Sequence, residues 1–153
     1  MVVESQQRQK KLYETDYYLW VVETVKQLQN QELEAVDWDN LIEEISDLAR
    51  RDKRKLKSLL RNLWEHLLKL KYWENEVPRN RSHWRGEIRN FRKQIRDELE
   101  DSPSLNNYLY EVSAQCYKDA REIVSDKSQL PLDRFPCEPI APLEQVLDEN
   151  WLP

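Results

Sequence analysis

Apolar side chains recur at steps of three and four along the middle of the chain: Trp38, Leu41, Ile45, Leu48, Leu56, Leu59, Leu63, Leu67 and Leu70. That spacing marks one face of an α-helix, and no Gly or Pro interrupts residues 37–73. The pattern predicts one long helix over 38–73. Asp37 is suited to cap it, and Asp39, Glu43 and Glu44 follow in the turns favoured by the positive end of the dipole. Up to about Leu59 the stripe is one-sided. Beyond it Leu60, Leu63, Trp64, Leu67, Leu68, Leu70, Tyr72 and Trp73 point in most directions, and a helix apolar all round is enclosed all round. Asp52 interrupts the stripe, either through local exposure or as a buried carboxylate that caps or pairs with something.

Residues 1–11 are polar and read as a frayed end. Thr15 can cap a helix over about 15–30 with Tyr17, Trp20, Val21, Val25 and Leu28 on one face. After Trp73, Pro78 and its polar neighbours predict a turn, then a helix over 83–100 capped by Ser82, with Trp84, Ile88, Phe91, Ile95 and Leu99 inward. Ser102-Pro103 is a helix start signal for a helix over 103–125. Four prolines from Pro131 to Pro142 forbid a long helix thereafter, and a short one is expected at 142–149. Phe135, Ile140, Leu143, Leu147 and Trp151 make this tail too apolar for a linker. Two helices alone would leave the faces of 15–30 and 38–52 wet. The tail is therefore expected to lie across them, with a second chain as the rival cover. The reading is an all-α antiparallel helical bundle, one domain over 12–153, with one long central helix and a packed Pro-rich C-terminal tail.

Composition narrows the chemistry. The single glycine, Gly86, removes phosphate-cradling and dinucleotide-binding loops. Cys116, Cys137, His66 and His83 have no zinc or redox spacing. No apolar run approaches a membrane span and the first residues lack a signal-peptide core, so a cytoplasmic protein with reduced thiols is expected. No metal and no cofactor is implied. The formal charge of −5 divides into −7 over residues 1–49, +11 over 50–96 and −9 over 97–153. Such a basic middle neutralises itself in the fold or meets an anionic partner.

Several stretches together, LYETDYYLW, VDWDNLIEEISDLAR, LWEHLLKLKYW, HWRGEIR, LEDSPSL and PLEQVLDENW, resemble a bacterial family abundant in cyanobacteria, the domain of unknown function, family twenty-nine. The resemblance runs from Leu12 over nearly the whole chain. It implies an all-helical bundle and no established activity. Family members often carry Gly near Leu48–Arg50 and Ala-Thr at Gly86-Glu87. The first departure favours an unbroken central helix here.

No constellation is catalytic. His66 reads as a packed imidazole or, with Arg85 and Arg89 level with it, as part of an assembled polar site to which Asp52 could belong. Glu43, Glu44 and Asp47 lack the Glu-x-x-His partners of a bundle metal site. Two basic lines stand out: Arg50, Arg54, Lys57 and Arg61 on the central helix, and Arg85, Arg89, Arg92 and Arg96 on the next. The first reads as a solvated face and the second as ion pairs to the acidic edge Asp119, Glu122 and Asp126. An anionic partner is the alternative for both. A non-catalytic protein-interaction module is the favoured function, with a nucleic-acid-binding accessory protein or an enzyme near His66 and Arg85/Arg89 as alternatives. The expected partner is another protein, with no membrane, and nucleic acid is possible but not favoured. The chain is expected to be a monomer, with a homodimer as the rival.

Overall fold

The computed structural model describes residues 2–153. The fold is all-α, with no strand among the described residues. Its helices are α1 (Val2–Thr15), α2 (Tyr17–Gln29), α3 (Trp38–Tyr72), α4 (Val77–Asp101), α5 (Leu105–Ser128) and the single turn α6 (Leu143–Val146), with 3₁₀ turns at Leu33–Ala35 and Leu132–Arg134. The chain divides into two compact units, Met1–Arg50 and Arg51–Pro153. The division falls inside α3, which is one helix through Arg50–Asp52.

The second unit is built as the all-round apolar pattern requires. Leu56, Leu60, Leu63, Trp64, Leu67 and Leu68 of α3 are all fully buried. Cross-helix pairs give the topology. Trp73 stacks on Trp84, His66 meets Phe91 edge-on, and Lys55 pairs with Glu98. The numbers rise on one helix as they fall on the other, so α4 runs antiparallel to α3. Lys53 lies over the Tyr108 ring, Trp64 packs on Tyr117, and Lys127 pairs with Glu65. Here both numbers rise together, so α5 runs parallel to α3. Leu109, Cys116, Tyr117, Ala120 and Val124 of α5 and Ile88 and Ile95 of α4 complete the wall.

The tail closes this same unit, which corrects the expected docking across the first helices. Phe135 is 1% exposed in the core, its ring edge-on to Tyr72 at 5.6 Å. Tyr117 donates to Pro136 O, and Arg121 donates through Nε to Phe135 O and through Nη2 to Leu132 O. Farther on, Arg92 Nε donates to Val146 O and Arg96 pairs with Glu149. The prolines keep the segment extended, and Phe135, seated at the end of α5, sends it back between α4 and α5. The four-residue α6 is shorter than the expected 142–149.

The first unit differs more from expectation. Residues 2–11 are not frayed but form most of α1. Polar bonds hold it, which is why no apolar stripe announced it. Gln9 Nε2 and Arg8 Nη2 donate to the Glu23 carboxylate, Gln6 donates to Glu34 O, and Tyr13 donates to Glu44. Asp16, not Thr15, caps α2, accepting from Leu19 N–H at 3.1 Å. Asp37 behaves as expected, its carboxylate accepting from Asn40 N–H and Nδ2. The apolar core here is thin. Trp20 and Val36 are its fully buried hydrophobic side chains, beside buried Gln9, Thr24, Gln27 and Asp37.

Two boundaries move. Helix α4 starts at Val77, six residues before the expected 83, because Pro78 sits in its first turn, where the amides have no intrahelical acceptor to lose. Ser82 is then interior to the helix and caps nothing. At the other end Ser102 terminates α4, and α5 begins at Leu105 instead of Pro103.

Because Phe135 seals the second unit, Phe135→Ala is expected to lower unfolding free energy by about 3–5 kcal/mol, read from urea melts. A loss under about 1 kcal/mol would mean that the tail is dispensable to this core.

Candidate functional site

The feature that the fold leaves unexplained lies in the first unit. Among the described residues most exposed large hydrophobics belong to it: Tyr17, Tyr18, Val22, Val25, Leu28, Leu33, Trp38, Ile42, Ile45 and Leu48. On α3 they form a stripe at helical spacing. Ile42, Ile45 and Leu48 are 59%, 58% and 56% exposed, although the apolar spacing marks Ile45 and Leu48 as core. The reason lies in which side of α3 its own unit covers. Glu44 turns inward and accepts from both Tyr13 of α1 and Tyr17 of α2, at 2.6 and 2.8 Å. Tyr13, Tyr17 and Trp20 pack on one another around that bond. The bond to Glu44, with burial second, pushes the Tyr13 phenol up to about 12. The carboxylate thus anchors α3 by a polar side, and the apolar stripe is turned to solvent. Trp38 is held at its end, with Nε1 donating to Leu33 O at 2.9 Å.

The acidic residues weighed as half a metal site are engaged otherwise. Glu43 and Asp47 both pair with Arg50, and Glu44 serves the two tyrosines. Asp52 is exposed, and among the described residues no hydrogen bond joins it to the start of α5. The alternative of local exposure therefore holds.

The basic lines separate residue by residue. Arg50 is bound by Glu43 and Asp47, Arg61 donates to Ser58, Lys57 is half-buried, and Arg54 is exposed and also has a partner. On α4 the expected pairing with the acidic edge of α5 does not form. Asp119 accepts from Gln115 instead, and Arg96 reaches Glu149 of the tail and Glu100. Arg85 and Arg89 are exposed and have no described ion pair. They line a groove between α4 and the tail with Arg92, which is buried. Reading the sequence missed this groove because its second wall, the tail, was assigned elsewhere.

His66 does not reach that groove. Its Nδ1 donates to Asn62 O at 2.9 Å and its ring meets Phe91, the packed arrangement. Burial pushes the imidazole below its ordinary 6.5, with Lys69 adding to the shift and Glu65 and Glu87 opposing it. At the preceding residue, burial pushes the Glu65 carboxyl up, but bonds from Lys127 and Lys69 overcome this and hold it below its ordinary value. Neither group faces an open cavity with a nucleophile beside it.

A half-buried His66 whose protonation is disfavoured by burial makes stability depend on pH with a definite sign. Below about pH 6.5 the unfolded chain takes up a proton that the folded chain resists, so stability falls as pH falls through that value. His66→Gln, which keeps a donor for Asn62 O, is expected to flatten the fall in urea midpoint between about pH 7.5 and 5.5. An equal fall in both proteins would contradict it.

No helix among the described residues is long and apolar enough to cross a membrane. Neither the curated proteins nor the solved structures contain a match to the chain. A family model does match, over residues 12–152, which reaches from the last turn of α1 through the closing tail. On that match the chain belongs to the family described as domain of unknown function DUF29.

Proposed function

We propose that the protein is a non-catalytic interaction module of the cytoplasm that holds a partner protein on the open apolar face of its first unit. The observation behind this is the exposed stripe Trp38, Ile42, Ile45 and Leu48. Leaving large hydrophobics wet gives up on the order of 1.5–3 kcal/mol apiece. Contiguous exposed apolar surface of this kind marks interaction sites in soluble proteins.

Charge selects the kind of partner. Residues 1–50 carry eleven acidic and five basic side chains, a net of −6. Two copies meeting through this face would bring like charges together, whereas an amphipathic helix with a basic rim would be drawn to it. Nucleic acid fits poorly: Arg50, Arg61 and Arg96 are already engaged by neighbouring side chains, and the unit with the apolar face is acidic.

The experiment is a titration with two synthetic amphipathic helices, one of Leu and Lys and one of Leu and Glu. Saturable binding of the Leu/Lys peptide is expected, weakened at least about tenfold by Ile45→Asp, with little binding of the Leu/Glu peptide. Light scattering of the free protein is expected to give a monomer. A tight homodimer through this face, or peptide binding indifferent to Ile45→Asp, would overturn the proposal.

A further inference from the structure

The groove between α4 and the tail lies wholly in the second unit and is independent of the apolar face. It encloses about 480 Å³, within the range of small-molecule sites. Arg85, Arg89 and Arg92 recur at helical spacing along one wall, and Ser82 and Asn150 add polar groups. Glu149, the acidic residue of the lining, is drawn to Arg96 at 2.8 Å.

Arg92 carries the argument. It is 4% exposed and makes one described hydrogen bond, Nε to Val146 O at 2.8 Å; its Nη2 is buried without a partner. A guanidinium has five N–H donors; Asp148 and Glu149 of the tail offset the Arg92 charge through space, yet its Nη2 stays unbonded. The fold uses one edge of Arg92 to hold the tail and leaves another edge unbonded beside two exposed arginines.

A second observation concerns the chain's one glycine. Gly86 lies inside α4 on the groove lining, not in a first turn as the sequence suggested. An interior glycine costs about 1 kcal/mol relative to Ala, yet a Cβ there would meet nothing within 4 Å. The position therefore faces open space, and only a side chain much larger than a methyl group would fill the groove there. An adjoining cavity of about 370 Å³ shares Arg92 and Glu149 and is lined by Ile95, Leu99 and Leu147.

We propose that this groove binds a small phosphomonoester. Its phosphoryl group sits between Arg85, Arg89 and Arg92, and its apolar body extends toward Ile95, Leu99 and Leu147. Guanidinium forks match phosphate oxygens two at a time. Three of them, against Glu149 in the groove and Glu100 in the adjoining cavity, favour a dianion over a carboxylate. The volume exceeds what a bare phosphate ion fills, so the group arrives on a larger molecule.

The test is amide NMR of the full chain titrated with phenyl phosphate, inorganic phosphate, benzoate and a single-stranded oligonucleotide, at physiological salt. Saturable shifts confined to residues 82–92, 95–99 and 147–152 are expected with phenyl phosphate. Inorganic phosphate and benzoate should each bind at least about tenfold more weakly. Arg89→Gln, on an exposed side chain whose loss leaves the fold intact, is expected to weaken phenyl phosphate about tenfold or more. Gly86→Phe, which blocks the groove and keeps all three charges, is expected to abolish it. Absent shifts, shifts unaffected by either variant, benzoate binding as well as phenyl phosphate, or the oligonucleotide binding tightest would each overturn the proposal.

Discussion

Enclosing the second half of α3 is the constraint from which the architecture of the second unit follows. Leu56, Leu60, Leu63 and Leu67 lie on one side of that helix, Trp64 and Leu68 on another, and all are fully buried. Two flanking helices leave a gap between them, and α4 and α5 are bridged by the tail. Phe135, Leu143 and Val146 fill the gap, while Arg92, Arg121 and Tyr117 grip the tail backbone. Extended backbone needs such donors, because a segment with four prolines has little hydrogen bonding of its own. The tail is therefore part of the bundle.

The first unit follows a different logic. Its contacts are mostly polar, centred on Glu23 and Glu44, each accepting from two side chains. Polar contacts fix direction more than they contribute free energy, and they fix α3 with its apolar stripe outward. The partner protein proposed above would give a reason for a helix to keep Ile42, Ile45 and Leu48 in water when Ser or Lys would serve as well.

Periodicity made much of the fold legible. The central helix, the Asp37 cap and the inward residues of α4 follow from spacing alone, as does the enclosure after Leu59, since apolar residues at helical steps have few other places to go. The hidden part depended on information that periodicity does not carry. Helix α1 has no stripe, because Gln6, Gln9 and Arg8 hold it through hydrogen bonds. Pro78 reads as a breaker until its place in the first turn is known. The destination of the tail turned on one contact, Phe135 against Tyr72. The arginine line was visible as Arg85, Arg89, Arg92 and Arg96, but its division was not. Arg96 is paired, Arg92 is buried and half-used, and Arg85 and Arg89 are open, all according to where the tail lies.

The central claim is that the first unit's apolar stripe does not serve the fold of the isolated chain. Urea unfolding of Ile42→Ser and Ile45→Ser measures this directly. If the stripe is an open surface, each substitution should change stability by no more than about 0.5 kcal/mol, as at ordinary surface positions. A loss of about 2 kcal/mol or more for either, the cost of opening a packed core, would show that the stripe is already covered and would contradict the account.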